Sequence, residues 1–266
     1  MSNAARFDGR ASDYSAGRPP YPTAVVDLLR DRIGLAADWH VVDVGAGTGI
    51  SSELFLNTGH RVTAVEPNDA MRIEADARLA THANYRSFAA PAERVPLPDG
   101  SADLVAAAQA FHWFDPAAFA RECLRLLSPR GRVALMWNTL DPAATPAAAA
   151  YQAVVDRYAL DLSRVRSKWR AAESNAMAWF DPATFVRVDL PHAVSHSAEA
   201  LFARMASSSY MPPRGHANFE LMRRDLFTAF EAHCVAGVFT LPYTCELYVG
   251  VPAGGTKSVP PVAELR

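Results

Sequence analysis

Cysteine is scarce in this chain of 266 residues: Cys123, Cys234 and Cys245 are the whole supply, odd in number and scattered. Three thiols so placed exclude a disulfide framework and a cysteine metal cluster, and read as buried thiols of a reducing cytoplasm. A surplus of one charge is also lacking. With 26 Lys and Arg against 28 Asp and Glu, the formal charge is −2, which leaves no basic footprint for a nucleic acid. No apolar run approaches the roughly 20 residues of a membrane span, and Met1 to Arg10 is polar, without the apolar centre of a signal peptide. Nor is there an internal repeat. These absences set the expectation of a cytoplasmic protein with neither nucleic acid nor membrane as partner; a monomer or homodimer is the expected working state. Metal ligands are missing as well. His192 and His196 would share a face on a helix, but the alternation Val186, Val188, Leu190 before them argues for an extended chain. The two rings then stand about 13 Å apart, and no metal is expected.

The informative stretch is 41–49, Val-Val-Asp-Val-Gly-Ala-Gly-Thr-Gly: an apolar strand that runs into a glycine-rich turn. Gly45, Gly47 and Gly49 let the backbone turn tightly and approach a ligand closely. A second apolar segment, Val62 to Val65, ends in Glu66, an acid placed to accept hydrogen bonds from ribose hydroxyls. Together they imply an adenosine site. In the dinucleotide pattern G-x-G-x-x-G the third glycine allows close helix–strand packing; here Ile50 takes that position and the extra glycine falls one residue early, at Gly49. Asp43 has the wrong sign for cradling phosphate and suits a cation. A sulfonium fits this turn better than a pyrophosphate.

Along the chain, strands are expected at 40–44, 61–65, 84–88, 102–108 and 132–137. Helices are expected at 22–33, from Gly49 onward, at 69–80 with Ala70, Ile73, Ala77 and Ala80 as its repeating face, and at 116–127 around Phe119, Cys123, Leu126 and Leu127. Strands apolar throughout, alternating with helices, imply a doubly wound α/β fold with a mostly parallel sheet covered on both faces. Ligands bind such sheets beyond the carboxyl ends of the strands, where Gly45, Glu66 and Gln109 all fall. After 138 the pattern changes to helices near 146–160, 197–208 and 216–235, with strand-like runs at 184–190 and 237–249. The first twenty residues read as loop, and the basic run Arg164, Arg166, Lys168, Arg170 as a solvated face.

Taken together, VVDVGAGTG (41–49), VTAVEPNDAM (62–71), PAERVPLPDGSADLV (91–105) and SPRGRVALMW (128–137) resemble a class I S-adenosylmethionine-dependent methyltransferase of the type 11 kind. The segments AQAFHWFD (108–115) and YSAGRPPYP (14–22) are similar to a small-molecule subgroup that includes fungal trans-aconitate methyltransferases, and LPYTCELYVG (241–250) to the antiparallel final strand of such folds. The resemblance implies a seven-stranded sheet. It also implies a core over 1–138 with an N-terminal lid segment, a helical cap and substrate region over 139–235 with a sheet strand near 184–190, a last strand in 236–250, and a flexible tail at 251–266.

The same resemblance implies S-adenosylmethionine as cofactor and places its contacts. Gly45, Ala46 and Gly47 pass under the methionine and ribose, Glu66 takes the ribose diol, and Pro67 and Met71 pack on the adenine. Ala92 and Glu93 meet the adenine nitrogens through the main chain, since Pro91 stands where many relatives carry an Asp. Gln109 and Ala110 line the methionine side, and Tyr14 and Arg18 close over the cofactor carboxylate, a group that suits a planar guanidinium.

Methyl transfer is an in-line displacement that asks the protein mainly for positioning in a dry pocket. His112 is the candidate general base, with shaping of the pocket as the competing role. Trp113 and Phe114 read as pocket walls or as core, and Tyr21 and Tyr210 as acceptor contacts or plain packing. The expected reaction is methylation of a small acceptor at oxygen, a carboxylate oxygen included. The alternatives are a non-catalytic S-adenosylmethionine-binding protein and an NAD-dependent oxidoreductase, the latter opposed by Ile50.

Overall fold

A computed structural model of the chain describes residues 11–254, apart from the side chains at 168, 170 and 172–174. The interior strand β1 (His40–Val44) is buried along its whole length, as a strand covered on both faces must be. Strands β2 (Arg61–Val65) and β4 (Ala102–Ala108) flank it in parallel. Outside them, again parallel, lie β3 (Tyr85–Phe88) and β5 (Leu127–Leu140). With β6 (Val186–His196) and β7 (Phe239–Gly250) the order is β3-β2-β1-β4-β5-β7-β6, a mixed sheet of seven strands. Edge strand β6 carries Pro191, a residue that only an edge accommodates readily, and it holds His192 and His196 in extended chain.

The helices are α1 (Ala11–Gly17), α2 (Ala24–Ile33), α3 (Ile50–Leu56), α4 (Asp69–Leu79), α5 (Pro116–Leu126), α6 (Pro146–Tyr158), α7 (Leu162–Trp179), α8 (Ala198–Ala206) and α9 (Phe219–His233). Local chemistry starts several of them. Asn68, Asp115, Thr145 and Ser197 each accept a backbone N–H three residues on, and Pro116 and Pro146 sit in the first turn, where a missing N–H costs nothing. Among the described residues no helix is long and apolar enough to cross a membrane.

Three expectations are corrected. The N-terminal loop contains α1. Strand β5 starts at Leu127, because the stretch through Gly131 stays extended beside β4, with a register shift between Ala102 and Leu104. Helix α4 buries Met71, Ala75 and Leu79, whereas Ile73 is 61 % exposed and Ala70, Ala77 and Ala80 also face outward. The buried row contains the larger side chains and meets Gly49, whose hydrogen points at Leu79 and Ala75. Most of the expected tail lies outside the described residues.

Contacts divide the described chain into two compact units. The sheet unit comprises 20–137, 169–190 and 246–254. Its core joins Val42, Val44, Val105, Val133 and Leu135 of the sheet to Phe111, Phe119, Trp179 and Phe180. Phe119 stacks on Trp179 at 5.6 Å, and Phe111 meets Trp137 and Trp179 edge-on. The helical unit comprises 11–19, 138–168 and 191–245. There Asp225 of α9 takes hydrogen bonds from Arg157 and Tyr158 at the end of α6, at 2.9 and 2.6 Å, and Phe202 of α8 packs on Phe219 and Phe227 of α9.

Helix α1 crosses α8 so closely that a Cβ on Gly17 would lie 2.0 Å from the backbone N of Arg204. Alanine is ordinarily the better helix former. Here Gly17→Ala is expected to lower stability by about 1–3 kcal/mol through overpacking, as read by urea denaturation; a neutral or stabilising result would contradict that crossing.

Candidate functional site

The sheet order reverses at β1: successive strands step outward to β2 and β3 on one side, then resume with β4 on the other. A crevice forms beyond the carboxyl ends of the strands at such a switch point. The turn after β1 lies there. Gly45, Gly47 and Gly49 have φ of 69°, 57° and 82°, a region that costs a side-chain-bearing residue energy. The N–H groups of Gly45 and Ala46 donate to the Val65 carbonyl at 2.8 and 3.2 Å, which ties the turn to the tip of β2. Space demands glycine as well: a Cβ at Gly45 would fall 2.6 Å from Ala110 Cβ and 3.0 Å from Phe114 Cζ.

Glu66 follows directly on β2 and turns its carboxylate to that loop. Oε2 accepts from the Gly47 N–H at 3.0 Å and Oε1 from the Asn68 N–H at 2.8 Å. Burial raises its pKa above the ordinary carboxylate value, while the two backbone donors pull the other way. Each oxygen keeps acceptor capacity beyond one such bond. Met71 is buried, its methyl 3.4 Å from where a Gly47 Cβ would stand, and Pro67 is exposed.

Asp43 is corrected as a cation contact. It is fully buried beneath the turn, and its Oδ2 accepts from Ser51 Oγ at 2.7 Å and Ser52 Oγ at 2.6 Å. The carboxylate braces the first turn of α3 against β1. Loss of water pushes its pKa up to about 6, opposed by those hydroxyls.

Past β4, Gln109 is one of two non-glycine residues with positive φ among the described residues, at 53°, and its N–H donates to the Met136 carbonyl at 2.8 Å. Held strain of this kind gathers at functional positions. Ala110 is buried, and a short 3₁₀ turn, Phe111–Trp113, follows. The His112 ring lies 4.7 Å from that of Trp113 and 6.4 Å from that of Trp169. Ala92 is buried, and Glu93 Oε1 accepts from the Asp115 N–H at 2.9 Å, which joins that loop to the start of α5.

The sheet unit thus contains Asp43, Gly45, Ala46, Gly47, Glu66, Pro67, Met71, Ala92, Glu93, Gln109, Ala110, His112 and Trp113, together with Tyr21, which is buried. Tyr14, Arg18 and Tyr210 belong to the helical unit. Arg18 lies 4.7 Å over the Tyr14 ring and donates to Ser207 and Ser208. Phe114, beside Gly45, and Asn68, which caps α4, complete the surroundings of the turn without having been singled out as cofactor contacts. Asn before an Asp-Ala-Met helix start was a readable cap. Among the described residues no three His, Cys, Asp or Glu side chains gather to hold a metal ion.

Residues 42–135 match the family described as a methyltransferase domain. An uncharacterised methyltransferase of Mycobacterium tuberculosis is 39 % identical over 135 residues, covering 51 % of this chain and 53 % of that protein. A ubiquinone biosynthesis O-methyltransferase of Pseudomonas aeruginosa is 34 % identical over 125 residues, covering 45 % and 52 %. The chain spans about half the length of the curated relatives first matched. Among solved structures, a protein of Anaeromyxobacter dehalogenans assigned as a type II methyltransferase superposes with a TM-score of 0.56 at 23 % identity, covering 88 % of this chain and 97 % of that one; that likeness concerns the fold.

The Asp43 carboxyl gives a pH test. Between its unfolded value near 3.8 and the folded value of about 6, the folded chain holds a proton that the unfolded chain has released, so rising pH costs stability. The stability of the wild type relative to Asp43→Asn is expected to fall by up to about 3 kcal/mol across that interval and to level off above it. Denaturation at stepped pH reads the difference, and a flat profile contradicts the assignment.

Proposed function

Residues 42–135 form a class I S-adenosylmethionine-dependent methyltransferase domain, and on that premise we propose that the chain moves a methyl group from S-adenosylmethionine to a small-molecule acceptor. The receiving atom is oxygen, a carboxylate oxygen included. The reading rests on one observation above all: the Glu66 carboxylate at the tip of β2 meets the glycine turn after β1 through the Gly47 N–H. A nucleoside needs this juxtaposition of a close-approaching backbone and an acid for its diol. The cradle that a Cβ at Gly45 would fill fits a ligand lying against main chain.

When bound, the cofactor supplies a methyl group activated by a sulfonium. The protein's part is then to bind, orient and exclude water. In this proposal Glu66 accepts from the ribose hydroxyls, and Gly45, Ala46 and Gly47 carry the backbone past the ribose and methionine. Met71 and Pro67 pack on the adenine, with Ala92 and Glu93 offering main-chain groups to its nitrogens. Gln109 and Ala110 line the methionine side, and Tyr14 and Arg18 take its carboxylate. Asp43 acts from below, by holding α3.

His112 takes a proton only if the acceptor must lose one, as a phenol must; a carboxylate acceptor needs no base, and His112 then shapes the pocket. Trp113, Tyr21 and Tyr210 contact the acceptor. The O-methylation named for the Pseudomonas relative supports oxygen as the atom. The cytoplasm as location, and a monomer or homodimer as the working state, belong to the same proposal.

Calorimetry with S-adenosylmethionine and S-adenosylhomocysteine tests it. Saturable binding of both is expected, weakened about tenfold or more in Glu66→Gln, the usual worth of a hydrogen bond to a charged group, with the variant still folded by circular dichroism. A folded wild type that binds neither ligand overturns the reading.

A further inference from the structure

A second polar centre lies wholly within the helical unit, and nothing above uses it. Arg204 on α8 is 7 % exposed, between aromatic side chains of α6 and β7. Its guanidinium stands 5.6 Å from the centre of the Tyr151 ring and 5.5 Å from that of Tyr243, and its Nε–H donates to Tyr243 Oη at 2.5 Å. Nη1 has no hydrogen-bond partner, and among the described residues no carboxylate is paired with Arg204. Two neighbours are in the same condition. Tyr151, 2 % exposed, has no partner for its hydroxyl, and His196, 4 % exposed, has none for Nε2.

A charge taken out of water without a counter-ion is costly, and buried polar atoms left unsatisfied call for a cause. Three of them around one cation share a simple one, an anion. Burial and the Arg204 charge push the His196 pKa down to about 4, so at neutral pH the ring is uncharged and one of its nitrogens can donate. A second guanidinium stands by: Arg18 donates to Ser207 Oγ at 3.1 Å and Ser208 Oγ at 3.5 Å, and both hydroxyls donate to the Arg204 carbonyl. Gly17 permits that approach, since any side chain there would strike the backbone at Arg204.

We propose that Arg204, Tyr151 and His196 form a carboxylate-binding subsite within the helical unit. The planar fork of arginine matches a carboxylate in two parallel hydrogen bonds, and a phenol hydroxyl and an imidazole N–H add donors. As a statement about anion binding the proposal stands on the helical unit alone.

The test is calorimetric titration of the full chain with acetate, succinate, fumarate and benzoate, with succinamide as uncharged control and inorganic phosphate as the other anion. Each protein is also titrated with S-adenosylhomocysteine, whose proposed contacts include neither Arg204 nor Tyr151. At least one carboxylate is expected to bind saturably, better than succinamide or phosphate. Its affinity should fall about tenfold or more in Arg204→Gln and several-fold in Tyr151→Phe, which removes only the unpartnered hydroxyl, while binding of S-adenosylhomocysteine is unchanged. The subsite is overturned if no carboxylate binds the wild type, if phosphate or succinamide binds as well, or if both variants retain wild-type affinity. Should Arg204→Gln fail to fold, Tyr151→Phe decides. A folded wild type that binds a carboxylate but neither S-adenosylmethionine nor S-adenosylhomocysteine loses the methyltransferase reading and keeps the subsite.

Discussion

Everything in the sheet unit that faces a ligand depends on one short contact, the Gly47 N–H on the Glu66 carboxylate. It couples the turn after β1 to the end of β2, already joined by the bonds of Gly45 and Ala46 to the Val65 carbonyl. The turn can take that path because its glycines occupy left-handed conformations, and because Ala110, Ala75 and Leu79 leave room for hydrogens and nothing larger. Glu66 is kept partly dry at an electrostatic cost that the Gly47 and Asn68 donors offset. An acid so placed gains by accepting further hydrogen bonds.

Both units hold buried polar groups with bonding capacity left over, Asp43 Oδ1 in the sheet unit and those around Arg204 in the helical unit. In the sheet unit the buried acid Asp43 is a structural brace, its Oδ2 spent on two serines. The strained Gln109 is tied to β5 by its N–H, which donates to the Met136 carbonyl. In the helical unit the polar groups of Arg204, Tyr151 and His196 are buried with bonding capacity left over. The first arrangement gives rigidity to a turn. The second stores an unmet demand for negative charge.

Much of the sheet was legible in the sequence. The strands at 40–44, 61–65 and 102–108 have the expected bounds, because short β-branched runs between glycine-rich turns have few other conformations to adopt. Glu66 and the glycines were legible for the same reason, being neighbours of strand ends. The exposed side of α4 was misjudged: the rows Ala70, Ile73, Ala77 and Met71, Ala75, Leu79 have near-equal helical spacing, and only the sheet beneath chooses between them. The start of β5 at Leu127 was missed because Pro129 and Gly131 read as a break, whereas Leu127 already pairs with Ala102, and Pro129 and Gly131 lie within the irregularity before Arg132. Arg204 left one trace that could have been followed, a cation in the helical row of Leu201 and Ser208, both buried.

The sequence by itself determined the α/β class, the strand–turn–helix that opens the site, and the acid beside it, since each is written in residues adjacent along the chain. Only the tertiary structure decided that Asp43 supports the turn from below, that α1 presses on α8 at Gly17, and that Arg204 meets Tyr151 and Tyr243 without a carboxylate. Those facts are contacts between residues remote in sequence, and desolvation, which sets their energy, is a property of everything packed around them.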